Sequence, residues 1–445
     1  MEVGLSTEVI LRFLLIQLVF IIAVARLAGA AARKLKQPVV VGEITAGLLL
    51  GPSCLGSLFP TISEYLFHPE RAGIGPLHLD YALGLGHGLL AQLGLVFLLF
   101  LIGLEFDFSH LRVKAKAMTL TSITGLVLPF GLGQLLSPYL YEAVNTQVSY
   151  WGFSLFVSTA LSITAIPILG RMMIEMGITQ TKLGVLAIGA AAVDDAVGWM
   201  LLAAVCAIVQ SHFDIVLSLR MILETLIFTA LMIGVVGPFL RKQLKRILET
   251  KGQKAHLGVL TAIFISIFLS ATCTNIIGIF AIFGAFILGA VLSPGRKRLE
   301  PIKAKFQDFV SAFFLPIFFT YTGLRTDIGT LDSGMMWLFC ALVFLVAVVG
   351  KFCGCTFAAW LGGFSFKDAS CIGIMMNTRA LMELIVLNVG YELGVIPPSV
   401  YTMLVIMAIA TTLMTCPFLQ YFSKGSEIED HLKGSGFLNL KRPSN

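Results

Sequence analysis

Charge is what this chain has least of. Only 13 % of its 445 residues are Asp, Glu, Lys or Arg, about half the ~25 % usual for a soluble domain, while 57 % are hydrophobic. That balance excludes an ordinary soluble domain and calls for a helical protein that crosses a membrane many times. The net charge of +6 would hint at nucleic acid in a soluble chain. Here the basic residues sit in short loops, as membrane topology requires, and no nucleic-acid partner is expected.

Other absences narrow the reading. No G-x-x-x-x-G-K-[ST] motif occurs, so the chain carries no phosphate loop for ATP-driven transport. No basic stretch precedes the first apolar run, 9–32, which therefore reads as a first span rather than a cleavable signal. The eight cysteines lie mostly in apolar segments, and Cys353 and Cys355 are too close for a C-x₂-C zinc half-site. They read as small packing residues. No nucleophile–base arrangement suggests an enzyme, and no cofactor is implied.

Apolar runs of about 20 residues mark membrane spans. Thirteen are predicted, near 9–32, 38–54, 87–105, 117–138, 149–171, 183–209, 216–240, 256–275, 277–294, 306–324, 335–362, 369–391 and 399–422. The fold class expected is thus an all-α polytopic membrane protein, with a transmembrane domain over 1–424 and a short polar tail over 425–445. Residues 55–86 read as the longest external loop, with a short interfacial helix in "FPTISEYLF". Lys and Arg alternate between loop sets as the positive-inside rule asks, which puts the N-terminus outside and the C-terminus in the cytoplasm.

Few ionisable residues are left deep in the spans. "AAVDDAVGWMLLA" sets Asp194 beside Asp195, although a charge at the bilayer centre costs roughly 2.5–3.5 kcal/mol on insertion scales. Consecutive helical positions point about 100° apart, so one acid can take a cation partner while the other faces a water-filled route. Lys351, in "VAVVGKFCGC", is a suitable partner. A carboxylate that holds a proton or a small hard cation by turns is an exchanger in miniature. The bland alternative is a buried ion pair that only fixes helix packing. Arg220 and Glu224, four apart near a span end, are expected to pair with each other.

Two spans carry helix-disturbing polar content. "STALSITAIPIL" holds Ser158, Thr159, Ser162 and Thr164 ahead of Pro167, which removes a backbone donor. "MNTRALMELIVLNVG" holds Asn377, Thr378, Arg379, Glu383 and Asn388. Interrupted helices at matching places in two halves point to a transport site. Residues 117–209 and 335–422 then read as inverted repeats, with Arg379 and Glu383 paired at i, i+4 to offset half-helix dipoles.

Several stretches resemble the monovalent cation:proton antiporter-2 family: "QPVVVGEITAGLLLGPSCLG", "LGLVFLLFLIGLEFD", "VDDAVGW", "IFGAFILGAVLSP" and "NTRALMELIVLNVG". The last is most similar to the branch of plant cation/proton exchangers and bacterial sodium/proton antiporters. The resemblance covers nearly the whole chain. It implies thirteen helices with two crossing, partly unwound ones, a homodimer, and elevator-like alternating access. The core helices would be about 117–209 and 335–422, the scaffold helices about 9–105 and 216–324. It also implies that Asp195 binds the transported cation (Na⁺ or K⁺) and the proton, that Asp194 pairs with Lys351 when the ion is absent, and that Ser158, Thr159 and Thr164 lie at the first crossing. Ala380 stands where many relatives have glycine, and Met382 where some have glutamate. Asp194 together with Lys351 resembles the electrogenic members.

The expected function is sodium/proton antiport for cation and pH homeostasis in a bacterial inner or internal energy-coupled membrane, with potassium as the rival ion. A cation channel and an organic-anion symporter are the other classes. The acid–lysine pair would impede a channel, and two adjacent acids do not suit an anion site.

Overall fold

The computed structural model describes residues 6–35, 37, 39–73, 78–105, 115–144, 147–164, 166–178, 181–211, 214–251, 256–295, 303–304, 306–379 and 381–434. Among them every regular element is helical. Long apolar stretches with few breakers leave the backbone one way to satisfy its polar groups inside a bilayer, by hydrogen bonding within each helix. Eight described helices are long and apolar enough to cross a membrane. The protein is a polytopic, all-α membrane protein.

The chain divides into two compact units. The first comprises Met1–Arg26, Glu43–Phe108 and Ala203–Arg325; the second comprises Leu27–Gly42, Ser109–Leu202 and Thr326–Asn445. Helices α1 (Thr7–Lys34), α2 (Val39–Leu50) and α8 (Lys182–Gln210) each run from one unit into the other.

In the first unit, a π-helical turn at Pro52–Gly56 leads to α3 (Pro60–Phe67) and then to α4 (Leu79–Glu105). The short helix expected in "FPTISEYLF" is present. The loop after it is shorter than the sequence suggested, because α4 starts at Leu79 rather than near residue 87. The cause is a clasp at its N-terminus. The Glu70 backbone N–H donates to Asp80 Oδ1 at 2.9 Å, and the Asp80 N–H donates to Glu70 Oε2 at 3.3 Å. Acids at a helix start satisfy its orphan donors and favour its dipole.

Asp214 caps α9 (Ile215–Leu231) by accepting from the Val216 and Leu217 N–H groups. A π turn at Met232–Val236 joins α9 to α10 (Gly237–Lys251), so this segment outlasts the expected span 216–240. Arg220 Nε lies 2.8 Å from Glu224 Oε1, the i, i+4 pair expected. Helices α11 (His256–Ile277), α12 (Ala281–Leu292) and α13 (Leu315–Leu324) complete this unit.

The second unit holds α5 (Ala115–Val144), α6 (Tyr150–Ser162), α7 (Ile166–Glu175) and most of α8. It then takes in α14 (Gly334–Leu361), α15 (Phe366–Met376), α16 (Leu381–Glu392), α17 (Pro398–Phe422) and α18 (Glu429–Gly434). The expected spans 149–171 and 369–391 are each two half-length helices with a break between them. Met172, Met173 and Met176 pack with Leu183, Cys371 and Ile372 in one buried cluster. Two residues of the polar tail, Ile428 and Leu432, are fully buried in the same cluster. The Lys182 N–H donates to Glu427 Oε1, and the Glu427 N–H to Asp368 Oδ1, both at 3.0 Å. Apolar burial and these two hydrogen bonds thus fold the start of the tail onto this unit.

Candidate ion-exchange site

The two breaks explain how polar groups come to lie in mid-span. The first falls between the end of α6 at Ser162 and the start of α7 at Ile166, and there Ile163 is extended (φ −80°, ψ 145°). Pro167 stands at the second position of α7, where its missing N–H costs no helical bond. The second break falls between the end of α15 at Met376 and the start of α16 at Leu381, and the intervening sequence has no proline. There the Asn377 and Thr378 N–H groups bond back to the Ile374 and Met375 carbonyls at 3.1 and 3.2 Å, the tight closure common at helix ends.

A half-helix that stops inside the protein leaves unpaired carbonyls and a partial negative charge at its C-terminus. At the end of α6, two cations from the other half of the unit meet them. Lys351 Nζ donates to the Ser162 carbonyl at 2.5 Å, and Arg379 Nη1 donates to the Ala160 carbonyl at 3.0 Å. Arg379 Nη2 also donates to the Ala347 carbonyl on α14, at 3.1 Å. Thr164 Oγ1 also lies 3.1 Å from the Met376 carbonyl, which sets the first break beside the end of α15.

Asp194, fully buried on α8, receives three donors. Lys351 Nζ lies 2.6 Å from its Oδ2. Thr164 Oγ1 donates to the same oxygen at 2.8 Å, and Ser122 Oγ donates to Oδ1 at 2.5 Å. A buried charge needs such partners. Asp195 follows one position later in α8; its side chain lies outside the described residues, as do those of Pro167 and Ala380. Arg379 and Glu383, also fully buried, face each other at 3.9 Å. Neither Glu383 oxygen, nor Arg379 Nε, nor the Asn377 amide has a hydrogen-bond partner among the described residues.

The remaining expected residues are arranged differently. Thr378 Oγ1 donates to Thr415 Oγ1 at 3.3 Å. Ser158 and Thr159 lie on buried α6, but their hydroxyls do not turn to Asp194: Ser158 Oγ accepts from Gln134 Nε2 at 2.9 Å, and Thr159 Oγ1 donates to the Leu155 carbonyl at 2.7 Å. Two polar partners escaped the sequence reading. Ser122 and Gln134 both sit on α5, where hydroxyls and amides are ordinary helix–helix contacts and nothing in their spacing marked them.

With this geometry in hand, comparison with known proteins is decisive. Residues 19–421 match the family model described as sodium/hydrogen exchanger, transmembrane. The chain belongs to this family. It is similar to the Na(+)/H(+) antiporter NhaS4 of Synechocystis, at 41 % identity over 92 % of this chain and 97 % of that protein. It is also similar to cation/H(+) antiporter 17 of Arabidopsis thaliana, 34 % identical over 92 % of this chain, and spans 48 % of that relative's length. The sodium proton antiporter MjNhaP1 of Methanocaldococcus jannaschii, at pH 8, shares the fold. Its TM-score is 0.62 with 17 % identity, over 95 % of this chain and 99 % of that one. The protein is a cation/proton antiporter of the membrane, within the monovalent cation:proton antiporters to which its motifs pointed.

Proposed function

We propose that this antiporter exchanges Na⁺ for H⁺ at the acid pair of α8, with Asp195 taking cation and proton in turn. The observation that carries this is the charge balance around the fully buried Asp194–Lys351 pair. Asp194 and Glu383 are formally cancelled by Lys351 and Arg379, all four of them buried. In formal charge, Asp195, the next residue of the sequence, is one acid more than these two pairs account for. That charge needs a mobile counter-ion, and a proton or a monovalent cation, one at a time, supplies it.

Asp194 has its donors from Lys351, Thr164 and Ser122, so its role is the countercharge of Lys351 rather than the carrier of the cargo. Release of Lys351 as the cation arrives would make exchange electrogenic. The interrupted helices α6–α7 and α15–α16 suit two crossing, partly unwound helices of inverted repeats. Division into two compact units supports an elevator in which the second unit carries the ion. Thirteen spans, a homodimer, an external N-terminus, a cytoplasmic C-terminus, and a bacterial inner or internal energy-coupled membrane complete the reading. Cation and pH homeostasis would be its purpose.

K⁺ is the rival cargo, because the chain is also similar to the K(+)/H(+) antiporter 1 of Saccharomyces cerevisiae, at 28 % identity over 92 % of this chain and 46 % of that protein. Purified protein in liposomes with an internal pH dye tests both points. Cation-driven proton movement should vanish in Asp195→Asn, and the Na⁺ and K⁺ curves of wild type should separate the two ions. Equal fluxes in wild type and Asp195→Asn would sink the assignment.

A further inference from the structure

Helix α5 contributes to neither break, yet it reaches Asp194 directly. Two glycines let it. A Cβ on Gly354 of α14 would stand 2.7 Å from the Thr124 carbonyl of α5, and one on Gly125 would run into Cys355 Sγ and stand 3.8 Å from Lys351 Nζ. Small residues on facing helices permit this close approach. At this approach Cys355 Sγ donates to the Thr121 carbonyl at 3.6 Å, and Thr124 Oγ1 lies 3.0 Å from the Gly354 carbonyl and 2.8 Å from the Leu120 carbonyl of its own helix, its one hydrogen shared between them. Within the same turn of α5, fully buried Ser122 donates to Asp194 Oδ1 at 2.5 Å.

The Asp194 carboxylate is therefore divided. Oδ2 faces Lys351 and Thr164, while Oδ1 is held by Ser122 alone among the described residues. We propose that Ser122 is a positioning residue of the exchange: it fixes the rotation of the Asp194 carboxylate, presents Oδ2 to Lys351, and so sets how readily that pair opens to cation and proton. The inference rests on the reading of Asp194 and Asp195 as the exchange site.

The physical argument is one of charge and geometry together. A carboxylate carries about four acceptor positions, and a hydroxyl donor to the charged form favours that form. Hydrogen bonds to charged groups are worth more than neutral ones. Without the Ser122 donor, Oδ1 has lost its described partner and the carboxylate is free to turn, so the Lys351 pair competes less well against a proton.

Full-length protein in liposomes, assayed with an internal pH dye over a range of pH with Na⁺ and with K⁺, tests this. Wild type is compared with Ser122→Ala, Ser122→Thr, Thr121→Ala and Asp195→Asn. In Ser122→Ala the midpoint of the exchange profile should move toward alkaline pH by about one unit, a tenfold change in proton concentration. The apparent KM for the cation should rise at fixed pH while the maximal rate changes little. Ser122→Thr, which keeps the hydroxyl, should restore both. Thr121→Ala removes a buried hydroxyl that has no hydrogen-bond partner among the described residues and should leave both unchanged.

A role confined to packing would lower the yield of folded protein or the maximal rate without moving the midpoint, and that outcome overturns the proposal. If Ser122→Ala does not fold, Ser122→Cys keeps the shape with a weaker donor. It must then show a smaller shift of the same sign, and no shift overturns the proposal. The Asp195→Asn arm separates the two readings. If it transports like wild type, the exchange-site assignment has failed; if it is inactive while Ser122→Ala matches wild type, only the Ser122 inference has.

Discussion

The two interrupted segments of the second unit, α6–α7 and α15–α16, occupy matching places in its two halves but treat their polar groups in opposite ways. At the first break nearly everything is used. The Ala160 and Ser162 carbonyls accept from Arg379 and Lys351, and the Thr164 hydroxyl donates to Asp194 beside the Met376 carbonyl. At the second, the Asn377 amide and both Glu383 oxygens have no hydrogen-bond partner among the described residues. The second half exports its cations to the first and retains its own unsatisfied acceptors. Two interrupted segments of like form thus need not have like energetics, since the first is a frame built by donors from the second half of the unit.

If Arg379 is the main export, its removal should hurt most. Arg379→Met strips donors from two buried carbonyls and leaves Glu383 as an unpaired buried charge, a change expected to cost about 3–5 kcal/mol. Thermal unfolding of purified protein would show it as a large loss of midpoint or of folded protein. Adding Glu383→Gln should recover part of the loss, because it removes the stranded charge. A double variant no better than the single would mean that the 3.9 Å pair contributes nothing, and the comparison would rest on the carbonyl bonds alone.

A smaller effect sharpens the contrast directly. Thr164→Val loses the hydroxyl that donates to Asp194 and lies 3.1 Å from the Met376 carbonyl, and should cost roughly 1–3 kcal/mol. Asn377→Leu gives up no hydrogen bond made by the Asn377 side chain among the described residues, so it should cost less than Thr164→Val when both are melted side by side. Equal losses would show that the second break is as fully engaged as the first.

How far the sequence anticipated this depends on what kind of signal each residue leaves. Asp194, Lys351, Arg379 and Glu383 were legible because a charge inside an apolar run has few explanations. Both breaks were legible through Pro167 and the polar run at Asn377. Ser122 was not, since one hydroxyl on a membrane helix is an ordinary contact and only the close approach at Gly125 and Gly354 aims it at Asp194. Ser158 and Thr159 were read toward the site because they precede the break. The rotation of α6 instead gives Ser158 to Gln134, and the Thr159 hydroxyl bonds back to its own helix. Ile428 and Leu432 sit in a tail that reads as polar, and their burial depends on where the methionines of α7 lie, which no local pattern records.

The smallest expected effect concerns the one residue that most plainly announced a break. Pro167 lies inside the first turn of α7, where an N–H has no intrahelical partner, and the second break forms without any proline. If donors from Lys351, Arg379 and Thr164 hold the first break open, Pro167→Ala should leave it in place. It should change stability by less than about 1 kcal/mol, chiefly by loosening the unfolded chain, and transport should persist. Should Pro167→Ala instead abolish exchange while the protein stays folded, α6 and α7 would have merged into one helix. The break would then be made by the missing N–H, and the frame of cations would be its consequence rather than its cause.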